Sequence, residues 1–119
     1  MALAKELVAS GFHTSQTSAL GGSTVTGITA GTTQTQAGAV ALTGANNLVG
    51  TVAVANDGVR LPVADVGDVI FVRNGGANTV KIYPPVGGAI NGGTVNVAVT
   101  LATLTSTRFV YTSTRNSVQ

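Results

Sequence analysis

The stretch DVIFVRNGGANTVKIYPP, Asp68–Pro85, decides how the rest of the chain is read. It opens on Val69, Ile70, Phe71 and Val72, an unbroken apolar run, and closes on Val80 and Ile82 alternating with Thr79, Lys81 and Tyr83. β-Branched and aromatic side chains fit a pleated surface better than a helix. The unbroken run predicts a strand covered on both faces or lying at a subunit contact, and the alternation predicts a half-buried strand. Between them, Asn74-Gly75-Gly76-Ala77-Asn78 reads as a hairpin turn. It is glycine-rich but lacks the lysine and the following helix of a phosphate-binding loop.

The same texture continues on both sides. Val25 and Ile28 among threonines predict a strand near 24–30, residues 33–42 a weaker one, and 49–54 a short one. Asp57-Gly58 reads as a turn favouring positive φ, followed by Val59-Arg60-Leu61 and a stop at Pro62. Ile90 sits among glycines, and Asn91-Gly92-Gly93 turns again. Val95, Val97, Val99 and Leu101 then alternate with Asn96, Ala98 and Thr100, the most regular period-two pattern in the chain. Residues 105–112 close with Thr107, Phe109 and Tyr111 on one face. Short strands with frequent glycine turns, and no strand–helix alternation, predict a single all-β domain over 23–115. The expected form is an antiparallel β-sandwich or β-barrel, jelly-roll-like. Residues 116–119 read as a C-terminal tail.

Residues 1–22 have a different composition and read as an extended N-terminal docking arm. The first nine suit about two helical turns with Leu3, Leu7 and Val8 on one side, too short to be stable alone in water. The polar residues up to Gly22 read as a linker. Met1–Ser10 contains Lys5 and Glu6 and no following apolar run, so no signal peptide is expected, and no stretch approaches the ~20 apolar residues of a transmembrane helix.

Composition narrows the function. Thr and Val make up nearly a third of the 119 residues, while only six Lys or Arg and four Asp or Glu are present. A small domain ordinarily carries about 25–35% charged residues on its surface; here the whole chain carries 8%. Strand edges are normally guarded by Lys, Pro or inward-pointing charge, and those guards are scarce. Much of the surface is therefore expected to be covered by partners. Lys5, Arg60, Arg73, Lys81, Arg108 and Arg115 are scattered, which argues against nucleic acid or a membrane as partner.

Groups able to do chemistry are few. His13, the one imidazole, lies in the polar arm without an acidic neighbour, and the chain cannot supply the four N or S ligands of a structural zinc site. Asp65 and Asp68 flank Val66-Gly67 and suit a turn better than the six to eight oxygens of a calcium site. Nothing in the sequence asks Asp57 to join either of them as a glycosidase pair. Tyr83 beside Pro84-Pro85 offers a small apolar platform for a sugar or a partner, or simply a strand ending. No catalytic residue, cofactor or metal is expected. Arg60 and Arg73 are candidates to pair with Asp57, Asp65 or Asp68, weakly if exposed but able to set orientation at a subunit joint.

The string GVRLPVADVGDVIFVRNGGANTVKIYPPVGGAINGG, residues 58–93, resembles small structural proteins of tailed bacteriophages, of the capsid decoration (cement, or head-fibre) type. The likeness is carried by Gly58-Val59-Arg60-Leu61-Pro62, Gly67-Asp68, Val72-Arg73-Asn74, Gly76-Ala77-Asn78, Tyr83-Pro84-Pro85 and Ile90-Asn91-Gly92. ITAGTTQTQAGAVALT (28–43) leads in. Similar modules often carry a Trp in the last strand, where Phe109 and Tyr111 stand here. The resemblance implies an all-β module, a homotrimer, on the capsid surface of a virion assembled in the host cytoplasm, with the major capsid protein as partner. On that expectation Leu3, Leu7, Val8 and Phe12 of the arm contact the capsid. Val69, Phe71, Val97, Val99, Leu101 and Phe109 form the domain core and trimer seam. A tail, baseplate or fibre module is the alternative; a host- or glycan-binding module fits less well, because the five aromatic residues are scattered.

Overall fold

The computed structural model describes residues 23–119; the arm, with Leu3, Leu7, Val8, Phe12 and His13, lies outside the described residues. Those described build nine strands and no helix. They are β1 (Thr24–Thr29), β2 (Val40–Ala41), β3 (Asn46–Thr51), β4 (Gly58–Arg60), β5 (Val69–Asn74), β6 (Val80–Tyr83), β7 (Val99–Leu101), β8 (Thr105–Tyr111) and β9 (Ser117–Val118). One sheet has the order β1-β3-β5-β8-β9 and the other β2-β4-β6-β7. Both sheets are mixed, which corrects the antiparallel expectation: β1–β3, β3–β5, β2–β4 and β4–β6 pair in parallel, whereas β5–β8, β6–β7 and β8–β9 are antiparallel.

From β1 to β6 the chain changes sheet at every step. A parallel pair needs a crossover of roughly a dozen residues or more, and the crossover here is a strand of the opposite sheet with its two turns. The chain thus winds around its own core in coils, each strand laid parallel on the one before. Thr24 lies against Asn46 and Asn46 against Phe71 in one sheet; Val40 lies against Val59 and Val59 against Ile82 in the other. The winding then ends in antiparallel strands β7, β8 and β9.

This corrects the hairpin expected at Asn74–Asn78. β5 and β6 belong to different sheets, so the turn carries the chain across the core. Asn74, which is fully buried, holds that turn. Its Nδ2 donates to the carbonyls of Asn78 and Leu101, each at 2.9 Å, and its Oδ1 accepts the Gly76 amide at 2.9 Å. Those bonds tie the end of β5 to β7 across the core. Gly76 must be glycine, because a Cβ there would stand 2.7 Å from the Val52 backbone nitrogen.

Val95 and Val97 do not form the expected long strand; β7 begins only at Val99. Asn96 breaks the pattern by taking the left-handed conformation, φ 67°, which Asn adopts more readily than a β-branched residue. Its Oδ1 accepts the Gly87 amide at 2.7 Å and its own amide donates to Gly88 at 2.8 Å. At the 56–58 turn, positive φ falls on Asn56, before the expected Asp57-Gly58, and Gly58 begins β4 with the Tyr83 ring against it. At the C-terminus, residues read as a tail supply β9, paired with β8, and Ser117 is buried.

The core draws on both sheets. Ile28, Val49, Ile70, Val72, Phe109 and Tyr111 from the larger meet Val59, Val80, Ile82 and Leu101 from the smaller. Tyr111 sends its hydroxyl to the Pro62 carbonyl. Burial, and then the Asp68 charge, raise its pKa above the ordinary tyrosine value.

Two outcomes follow from these contacts. Asn74→Leu leaves the Gly76 amide and two carbonyls unpaired in the interior, so it should cost about 2–4 kcal/mol in urea unfolding; Asn46→Leu, on the outward face, should change stability by only about 0.5 kcal/mol. For Tyr111, the phenol is neutral in both states below about pH 10, and its contribution is then complete. Above that pH the unfolded chain ionises first, so stability should fall as pH rises toward the folded-state pKa. Tyr111→Phe should show a shallower loss in the same alkaline denaturation series.

Candidate interaction surface

Strand alternation sends Asn47, Val49, Ile70, Val72, Asn74, Phe109 and Tyr111 inward, all of them buried. The opposite face of the five-stranded sheet then carries Leu48, Val69, Phe71, Arg73, Arg108, Val110 and Val118. Register sets them in rows. Val69, Val110 and Val118 stand side by side across β5, β8 and β9. Asn46, Phe71 and Arg108 form the next row, and Leu48, Arg73 and Ser106 the one after. Val69 is 46% exposed and Val118 40% exposed, with Leu48, Phe71 and Val110 half-buried. Strands paired in parallel are ordinarily covered on both faces by helices. Here no helix among the described residues lies over this face, so an apolar row remains in contact with water.

The residues predicted for core and seam fall in three places. Leu101 and Phe109 belong to the core, and Val99 packs partly against it. Val69 and Phe71 lie on the outer face. Val97 is 54% exposed in the turn just before β7, outside the strand. Two members of the valine row, Val110 and Val118, were missed by sequence reasoning. Val110 was legible from parity, since it alternates with the inward pair Phe109 and Tyr111. Val118 was not, because a two-residue strand at the chain end has no period.

The arginines are held differently from the expectation. Arg60 Nη1 donates to the Gln36 carbonyl at 2.9 Å and Arg73 Nη1 to the Leu104 carbonyl at 3.5 Å. The carboxylates expected to pair with them serve their own turns instead. Asp57, fully buried, accepts the Val54 amide at 3.2 Å and the Gln34 side chain. Asp68 accepts the Asp65 amide at 2.9 Å. Arg73 and Arg108 therefore stand exposed on the outer face beside Phe71.

Tyr83, Pro84 and Pro85 form no open platform: all three are buried. The Tyr83 hydroxyl donates to the Gln34 carbonyl at 2.9 Å, and Gln36 Nε2 donates to the Pro84 carbonyl at 2.9 Å. Burial raises the Tyr83 pKa. Among the described residues, no three His, Asp or Glu side chains gather as metal ligands would.

The division between faces is measurable. Val69→Thr should alter stability by less than about 0.5 kcal/mol, as at an exposed site, whereas Val72→Thr places an unpaired hydroxyl in the core and should cost at least about 1–3 kcal/mol in the same urea series. Compared with known proteins, the chain matches no family model, no curated protein and no solved structure.

Proposed function

We propose that this chain is a structural virion protein, a decoration or cement protein that binds the outer surface of a bacteriophage capsid and stabilises the shell. The observation that carries the reading is the apolar row Val69, Val110 and Val118, with Phe71 and Leu48 beside it, on a sheet face that also presents Arg73 and Arg108 in the neighbouring rows. The likeness of residues 58–93 to phage decoration modules supplies the setting. In this reading the two sheets act as one sandwich-like block that works by adhesion. Copies associate through the outer face as a homotrimer, with Arg73 setting orientation at the joint. The arm residues Leu3, Leu7, Val8 and Phe12 reach the major capsid protein. Several arms on one trimer multiply weak contacts through effective concentration. The site of action is the capsid surface, after assembly in the host cytoplasm, with no cofactor and no turnover. A tail, baseplate or fibre module is the second reading, since it would use the same adhesive face at another place in the particle.

Sedimentation of the full-length protein tests the association. The expected result is a mass about three times that of the chain, falling toward one in Val69→Asp/Val110→Asp; a wild-type monomer at high concentration would overturn it. Mass spectrometry of purified heads and purified tails tests the location. Presence on heads supports decoration, presence only on tails moves the protein to the second reading, and absence from both removes the virion role.

A further inference from the structure

Asn is followed by Gly at two places in this chain, Asn74-Gly75 and Asn91-Gly92. Such a pair can react with itself. A glycine carries no side chain to shield its backbone nitrogen from the carboxamide of the preceding Asn. At Asn74 the fold blocks the reaction: the side chain is fully buried, and its Nδ2 holds two carbonyls. At Asn91 the surroundings are the opposite. Asn91 and Gly92 are both exposed. They take positive φ, 57° and 68°, and the Gly93 amide donates to the Ile90 carbonyl at 3.0 Å. That is a type I′ turn, for which Asn-Gly is the favoured pair. The turn's own bond uses the Gly93 amide, so the Gly92 nitrogen lies at the tip. A Cβ built on Gly92 meets nothing within 4 Å.

We propose that Asn91-Gly92 is a site of spontaneous deamidation, and that its conversion to isoaspartate loosens the end of β9. The Gly92 nitrogen gives its proton to solvent base and bonds to Cγ of Asn91. The Cγ–Nδ2 bond breaks and that nitrogen leaves as ammonia, which closes a five-membered succinimide. Water then opens the ring at either carbonyl, giving aspartate or isoaspartate. One water enters, one ammonia leaves, and nothing is oxidised or reduced. The side chain that reacts is also a clamp. Asn91 Nδ2 donates to Gln119 Oε1 at 2.8 Å, and its Oδ1 accepts the Gln119 amide at 2.7 Å. Gln119 Nε2 in turn donates to Thr107 Oγ1 of β8 at 3.1 Å. Loss of Nδ2 removes the first of these bonds in either product. In isoaspartate the main chain runs through Cγ, so Oδ1 becomes a main-chain carbonyl and the ring closed by the Gly93 amide gains a carbon. Neither the clamp nor the type I′ turn survives that change. Val118, at one end of the apolar row, directly precedes Gln119. On the reading above, conversion would therefore also weaken association, but the site itself does not rest on that reading.

Ageing the full-length, folded protein in mildly alkaline buffer tests it, with Asn74 as the internal control. Trypsin separates the two sites, since residues 74–81 and 82–108 fall on different peptides. Fragment masses should show acid replacing amide at Asn91 at least about tenfold faster than at Asn74, which reacts only when the core opens. Isoaspartate should be the main product, with ammonia released in step. Equal rates at the two sites would overturn the proposal. The isoaspartate form, purified by chromatography, is then compared with the unreacted protein by hydrogen exchange. Its Gly93 and Gln119 amides should exchange at least about tenfold faster, as expected for a local opening. Unchanged exchange at both would overturn the link to β9.

Discussion

Two strands that run the same way cannot be joined by a tight turn, and the pairings of β1 with β3, β3 with β5, β2 with β4 and β4 with β6 are all of that kind. Everything else in the domain follows from how the chain meets this constraint. With no helix among the described residues to make the return, each crossover runs through the opposite sheet, so the two sheets grow together around one core. The turns must then cross the core's edge instead of folding back, and their polar backbone has to be satisfied near buried ground. Asn74 and Asn47 do this. Asn47 bridges the Gly44 carbonyl at 2.8 Å and the Phe71 carbonyl at 3.2 Å, from an inward position between Val25 and Val72. An inward Asn in a strand would be destabilising if unpaired; here each one holds a turn in place.

Much of this was legible in the sequence at the level of strands and little at the level of pairing. β5, β6 and β8 stand close to where Asp68–Arg73, Thr79–Tyr83 and 105–112 placed them, because β-branched runs and alternation report local burial. Partner choice does not follow from those signals. Asn74-Gly75-Gly76-Ala77-Asn78 has the composition of a hairpin turn, yet the chain passes there to the other sheet, with three bonds of the Asn74 side chain holding the crossing in place. Coil lengths also differ: Thr24 meets Asn46 and Asn46 meets Phe71, whereas Val40 meets Val59 and Val59 meets Ile82. With unequal spacings, stacking leaves no repeat that sequence inspection finds. Asn96 shows the converse failure, a perfect alternation interrupted by one residue whose side chain prefers to bond the neighbouring loop.

The candidate surface was half legible for the same reason. Val69-Ile70-Phe71-Val72 was read as covered on both faces or at a contact. The structure resolves which residues face which way: Ile70 and Val72 fill the core, and Val69 and Phe71 look outward. Val110 and Val118 join Val69 only through register between distant segments. Arg60 and Arg73 were expected to find carboxylates, but Asp57 and Asp68 are occupied by backbone amides of their own turns. Local hydrogen bonds within a turn form at little entropic cost, so a short-range amide outcompetes a distant guanidinium.

The way the winding is built also explains why such a surface exists. In a helix-wrapped parallel sheet, the crossover that joins strands covers the outer face as it does so. When the crossover is another strand, it closes the core from the inside and leaves the outer face bare. A chain of this design must either cover that face with polar residues or bring apolar area to a partner. Thr and Asn cover it on β1 and at Asn46, whereas Val69 and Val118 are exposed and Val110 is half-buried. Each exposed valine is a small term, at roughly 25 cal/mol per Å² removed from water. Register across β5, β8 and β9 sets the three side by side, so their small terms fall on one row instead of being scattered.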